Sequence, residues 1–245
     1  MLPLRDHLPT RTFPFVNYLL ILANIVVFVL ERLAIANGVG PTDLLMGLGY
    51  VPARLWIDPL GAVETVFTSM FMHDPSNLLH IGGNMLFLWI FGDNVEDAMG
   101  HFRYLAFYLV GGIAAAAAMT VIGPTSTVPM IGASGAISAV LAAYVFLYPR
   151  SPITVLNPIF LLWFFFGLFL IFPAWLVVGL FFVYNLWDAL VNSSQGGVAY
   201  MAHVGGFVVG ALLYRAFLSG RPRLTEYDRW QRWSQPRPPR RRDEW

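Results

Sequence analysis

The chain has 245 residues, of which 57% are hydrophobic and only 12% charged, and its mean hydropathy is +0.62. A soluble domain carries roughly a quarter charged residues, so this composition excludes an ordinary soluble enzyme and identifies an integral membrane protein. Cysteine and lysine are both absent, which excludes a disulfide framework, thiolate chemistry and a cysteine metal cage.

A bilayer core needs about 20 apolar residues per crossing helix. The first such run is "FPFVNYLLILANIVVFVL", residues 13–30. A signal peptide with Ala34-Ile35-Ala36 as its cleavage site is the competing reading. The run is too long for a signal core, and Glu31-Arg32 stand between it and that site, so it reads as a retained helix. Residues 34–77 mix Gly, Pro and scattered charges with short apolar pieces, and read as a structured loop at the membrane interface. Apolar spans follow at 78–92, 104–122, 131–148 and 198–218. Between 153 and 190 lies a long apolar stretch interrupted by Pro158 and Pro173. Pro173 suits the first turn of a helix, which favours one crossing near 172–190. Residues 151–168 are then a loop or hairpin dipping into the inner interface.

Arginine sets the orientation. Nine of the fifteen lie after residue 214, in a tail ending "QPRPPRRRDEW". Six crossings place that tail on one side together with Arg5, Arg11, Arg103 and Arg150, leaving only Arg32 and Arg54 on the other. The positive-inside rule puts both termini in the cytoplasm. The chain thus divides into a cytoplasmic segment 1–12, a membrane domain 13–218 and an Arg/Pro-rich tail 219–245. That tail is expected to be disordered near anionic headgroups, and is too short to argue nucleic-acid binding.

Polar groups in hydrocarbon are costly and need a partner or a task. His80 and Asn84 share a helix face at i, i+4, Ser134 opens the 131–148 span within "GASGA", and His203 stands early in the last span. With six crossings these three helices run in one direction, so all four residues lie in first turns. The depths of Ser134 and His203 differ by only about 3 Å at 1.5 Å per residue. Gly206 and Gly210 share the face of His203, and Gly132 and Gly135 flank the serine. Small residues of this kind let helix backbones approach closely, which would bring a hydroxyl within reach of an imidazole, as an activated serine requires. The Ser134 amide at a helix start, with His80 and Asn84 as side-chain donors, suits developing negative charge. Taken singly, Asn84 also reads as helix–helix glue, and His203 as an interhelical hydrogen bond or a haem ligand. His80 and His203 lack a third ligand at metal spacing. His73 and His101 read as solvated loop residues.

In that order and on those helices, "HIGGNMLFLWIFGDNVEDAMG", "GASGA" and "AHVGG" resemble the rhomboid intramembrane serine proteases, over roughly residues 12–220. The resemblance implies Ser134 as nucleophile, His203 as general base and acid, and an oxyanion site of Asn84, His80 and the Ser134 amide. It implies hydrolysis of peptide bonds in or beside transmembrane helices of other membrane proteins, without metal or cofactor. It further implies lateral entry past the fifth span (Trp175, Phe181, Phe182) beneath a mobile 191–199 cap.

The chain departs from the family pattern at three places. His73 precedes His80 by seven positions where many members have two histidines five apart. The Trp-Arg pair that some members carry in the first loop is missing. Where some members have a tyrosine packing on the base, four residues after the nucleophile, this chain has Ser138.

The expectation is therefore an all-α, six-helix rhomboid-like bundle in a prokaryotic plasma membrane. Its expected partners are transmembrane substrates and lipid. The rival readings are a catalytically inactive client-binding relative and, more remotely, a small transporter, for which internal repeats are lacking.

Overall fold

The structure is a computed structural model that describes residues 2–157, 163, 167–191 and 197–220. It is mostly helical. In chain order, strand β1 (Leu2–Asp6) leads into helix α1 (Phe15–Ala36), the short α2 (Pro41–Leu48), a 3₁₀ turn at Pro52–Trp56 and α3 (Pro59–Ser69). Helix α4 (Leu78–Phe87) continues through a π-turn at Leu88–Gly92 into α5 (Asp93–Met99). Then come α6 (His101–Ile122), α7 (Ser134–Leu147), strands β2 (Pro152–Leu156) and β3 (Phe169–Pro173), α8 (Ala174–Val191) and α9 (Gly197–Phe217). Among the described residues, three helices are long and apolar enough to cross a membrane: Phe15–Ala36, His101–Ile122 and Tyr200–Phe217.

Helix α1 displays the membrane solvent most clearly. Leu19, Leu22, Ile25, Val26, Val29, Leu30 and Leu33 are all exposed on it, a stripe with no place in water but suited to acyl chains. The opposite face buries Asn17, Leu20, Asn24, Phe28 and Glu31. The α1 N-terminus has no side-chain cap of its own. Glu96 of α5 supplies one from across the fold, its carboxylate accepting the Val16 and Asn17 N–H groups at 3.1 and 2.7 Å. Next to it, Asp97 accepts from the Thr12 hydroxyl and amide and pairs with Arg11 at 2.9 Å. The π-turn leaves a carbonyl to satisfy, and the Asn17 amide donates to Leu88 O at 2.9 Å. Gly92 is required here, since a Cβ would stand 2.1 Å from Asn17 Oδ1.

Helix α7 is the centre of the molecule: Gly135 through Tyr144 are buried without interruption. It has 14 residues, so it is about 21 Å long, shorter than a roughly 30 Å hydrocarbon core. Helix α9 packs chiefly on α6 and α7, backbone to backbone. A Cβ on Gly206 would meet Gly135 O at 2.1 Å, one on Gly210 would meet Ala139 Cα at 2.5 Å, and one on Gly135 would meet Ala115 Cβ at 2.4 Å.

The end of the molecule carrying Arg5 and Arg150 holds a three-stranded antiparallel sheet in the order β1-β2-β3, with Leu2 opposite Leu156 and Thr154 opposite Ile171. Residues 2–6 of the amino-terminal segment are therefore tied into the fold. Residues 151–157 and 167–173 form the two arms of a hairpin whose connecting segment, apart from Trp163, lies outside the described residues. The tail beyond residue 220 and most of the 191–199 cap also lie outside them.

Candidate active site

The site is assembled by the first loop. Tyr50 and Met130 exchange backbone hydrogen bonds at 3.0 and 2.7 Å, and the Gly132 amide donates to Ser69 O at 2.9 Å. These anchors hold residues 130–133 against α3, so that α7 starts at Ser134 in a fixed place. Gly132 adopts φ +111°, a left-handed conformation that favours glycine. A side chain there would also strike His80 Nε2 at 2.9 Å. This corrects the expectation that Gly132 serves helix–helix packing. It lies before the helix and makes room for the His80 ring, whereas Gly135, Gly206 and Gly210 do sit at helix contacts.

Ser134 and His203 meet. Ser134 Oγ lies 2.7 Å from His203 Nε2, although 69 residues separate them in the chain. The other ring nitrogen, Nδ1, lies 2.5 Å from Asn185 Oδ1 on α8. An amide oxygen only accepts, so Nδ1 carries the proton and Nε2 is left to accept from the serine hydroxyl. Asn185 cannot present its nitrogen instead, because its Nδ2 donates to Phe181 O at 2.8 Å. Phe181 and Tyr200 flank the imidazole, with ring centroids 6.4 and 6.0 Å away. Ser138, at the position where some members have the tyrosine, is buried and donates to Ser134 O at 2.8 Å.

Ser134, His203, His80 and Asn84 line one cavity of about 600 Å³, walled by Phe87, Phe181 and Tyr200. Ser134 is the first residue of α7, so its N–H has no carbonyl to reach within the helix and stands at the positive end of the dipole. The Asp74 amide approaches His80 Nδ1 at 3.4 Å. That contact leaves the His80 proton on Nε2, the atom beside Gly132 and the serine. Asn84 is buried, and its Nδ2 donates to His73 Nε2 at 2.9 Å.

His73 corrects the solvated-loop reading. It is 0% exposed, its Nδ1 donates to Phe71 O at 3.2 Å, and its amide is held by the buried Glu31 carboxylate of α1 at 3.3 and 3.4 Å. With Nδ1 protonated, Nε2 must accept, which fixes which way the Asn84 amide faces. Burial and the neighbouring His80 hold the His73 imidazole down at about 4, against a counteracting bond to Phe71 O. His101 is likewise no free loop residue: it begins α6 and pairs with Glu96 at 2.6 Å. Sequence reasoning missed Asn185, His73 and Glu31 as a group. Their signal was a polar side chain in each of three apolar surroundings, with no spacing rule to connect them. Among the described residues no three His, Cys, Asp or Glu side chains gather as a metal site.

Comparison with known proteins agrees with the motif resemblance. The sequence profile of the Rhomboid domain matches residues 61–220. The chain is 32% identical to Rhomboid protease AarA of Providencia stuartii over 167 residues, 61% of this chain and 54% of that protein. It is 26% identical to Rhomboid protein 1, mitochondrial, of Saccharomyces cerevisiae over 223 residues, 84% and 56% of the two chains. RHOMBOID-like protein 12, mitochondrial, of Arabidopsis thaliana is 28% identical over 181 residues, 67% and 49%. The chain thus spans about half the length of these curated relatives. With the profile covering most of its membrane domain, the chain belongs to the rhomboid family.

Proposed function

We propose that this chain is an intramembrane serine protease that hydrolyses peptide bonds in or next to transmembrane segments of other membrane proteins. The observation that carries the reading is the 2.7 Å contact of Ser134 Oγ with His203 Nε2 inside a cavity also lined by His80 and Asn84. Ser134 Oγ attacks the substrate carbonyl carbon while His203 Nε2 takes its proton. The tetrahedral oxyanion receives the Ser134 amide, His80 Nε2–H and the Asn84 side-chain amide. Collapse breaks the C–N bond, and His203 returns the proton to the leaving amine. Water activated by the same imidazole then releases the acyl group. A helical substrate hides its carbonyls in its own hydrogen bonds, so it must unwind locally, and helix-breaking or small residues are expected at the cleavage site. The lateral route lies between Phe87 of α4 and Phe181 of α8, whose rings pack at 5.5 Å.

The membrane topology proposed with this mechanism has six crossings, one of them α8, and both termini in the cytoplasm of a prokaryotic plasma membrane. The named yeast and Arabidopsis relatives are mitochondrial, so localisation of the native protein is the measurement that distinguishes these membranes.

The function is tested by incubating purified protein with single-span membrane substrates. Wild type should cleave and should be labelled at Ser134 by a fluorophosphonate. Ser134→Ala should do neither while keeping its thermal stability. Cleavage persisting in Ser134→Ala, or labelling at Ser126 instead, overturns the assignment. A folded wild type that is neither labelled nor active, but captures membrane clients, marks the inactive client-binding reading.

A further inference from the structure

A serine–histidine pair leaves one question of geometry open, because an imidazole on a single Cβ can rotate about χ1 and χ2. A hydroxyl is activated only if Nε2 keeps both its direction and its lone pair. In this chain the residue four positions after Ser134 is Ser138, whose hydroxyl is committed to a backbone carbonyl of its own helix. The group that does address the far side of the His203 ring is Asn185. It is 3% exposed, comes from a different helix, and places Oδ1 2.5 Å from Nδ1. Its own orientation is fixed by the bond from Nδ2 to Phe181 O. Phe181 lies one turn earlier on α8 and lines the cavity beside the ring.

We infer that Asn185 is a positioning residue for His203, the third member of a Ser134–His203–Asn185 array, and that docking of α8 orients the base. The inference rests on the proteolytic reading above. Its chemistry is that of an orienting acceptor without charge. Oδ1 holds the proton on Nδ1 and aims Nε2 at Ser134, and it accepts a stronger bond when the ring becomes imidazolium. Asn185 itself touches no reacting atom. The arrangement also gives one helix two tasks, since the face that closes the cavity through Phe181 carries the group that orients the base.

The experiment uses the full-length protein with a single-span substrate and a fluorophosphonate, comparing wild type, Asn185→Leu and Asn185→Asp. Leu keeps the volume and removes the acceptor. Its kcat and its Ser134 labelling rate should fall together by at least about 10-fold, with KM near wild type. The loss should stay short of the ~10⁴-fold that follows when a triad loses its orienting aspartate. Asp restores an acceptor and adds a charge facing the ring. Activity should recover in large part, and the acid limb of the kcat/KM profile should move up by about 1–3 pH units, because a carboxylate favours the imidazolium. The other titratable groups around this ring are His80 across the cavity, Tyr200 on its own helix and Asp188, which bonds Tyr200; none changes between the variants. A merely structural Asn185 would move thermal stability but not that limb. If Leu labels at the wild-type rate, or if Asp leaves the acid limb in place, the inference is overturned. Should Leu fail to fold, the Asp profile decides alone. A wild type that neither cleaves nor labels overturns the proteolytic reading itself, which is a separate outcome.

Discussion

At position 73 a buried imidazole is held by Phe71 O and the Asn84 amide with the His80 ring beside it, while Glu31 takes the His73 backbone amide. Its depressed titration near 4 has a consequence for stability. An unfolded chain takes up a proton on this ring at its ordinary 6.5, while the native protein does not until about 4. The unfolded state therefore binds more protons between those values, and native stability falls as pH drops through that window, by at most about 1.4 kcal/mol per unit. His73→Leu should show a flatter decline in thermal stability from pH 6.5 to 4.5 than wild type. The variant should also slow cleavage, because the Asn84 amide loses the acceptor that holds it, while Ser134 labelling survives at a reduced rate. Wild-type turnover in His73→Leu would reduce that histidine to packing. Ser134, His203, His80 and Asn84 were legible in the sequence because each sits in a motif of known spacing. His73, Glu31 and Asn185 were not, because their partners come from loops and helices that only the tertiary fold brings near.

Among the elements, the rod of α4, the π-turn and α5 carries both ends of the architecture. Asn84 faces the cavity near its start, and Glu96 near its end caps a different helix. Removing the Glu96 carboxylate strands two backbone donors at the start of α1 and leaves His101 without its partner. Unsatisfied buried groups cost about 1–3 kcal/mol each, so Glu96→Ala should lower thermal stability markedly, whereas Glu96→Gln, still an acceptor, should lose less. A measured stability of Glu96→Ala equal to wild type would show that water replaces the cap. Hydropathy located these helices well where they are long. It placed the end of the second span at residue 92, whereas the helix runs on to Met99 through residues with charges that are buried against α1 and the 11–12 segment. Sequence periodicity cannot see such pairing, since Glu96 caps Val16 and Asn17 and Asp97 holds Arg11 and Thr12, all some eighty positions away.

For the molecule as a whole, the arginine bias and the sheet point the same way. β1, β2 and β3 bring the amino-terminal segment, the turn after α7 and the approach to α8 to one end, which is what one crossing by α8 requires. A second crossing between 153 and 190 would reverse α9 and carry His203 to the opposite depth, roughly 15 Å or more from Ser134, far beyond hydrogen-bond reach. The chain has no cysteine, so single cysteines report topology cleanly. Those at the exposed position 150 and at 240 should react only from the cytoplasmic face and one at 194 only from outside. External labelling at 240 would break the proposed topology. The strands themselves were not foreseen beyond a hairpin near 151–168, because β1 is too short to be read alone and gains its conformation from β2.

The shortness of α7 makes the protein a ruler. Its 14 residues cover about 21 Å of a roughly 30 Å core, so in the proposed topology, with the inner end of α7 at the inner boundary, the serine lies about 9 Å beneath the outer one. An extended strand advances about 3.3 Å per residue, so a peptide fed from that boundary presents its third residue or so to the hydroxyl. Cleavage positions mapped across unrelated substrates should therefore cluster within about three residues of the outer edge of the span, with the length of α7 setting the depth and helix-breaking or small residues selecting the bond within it.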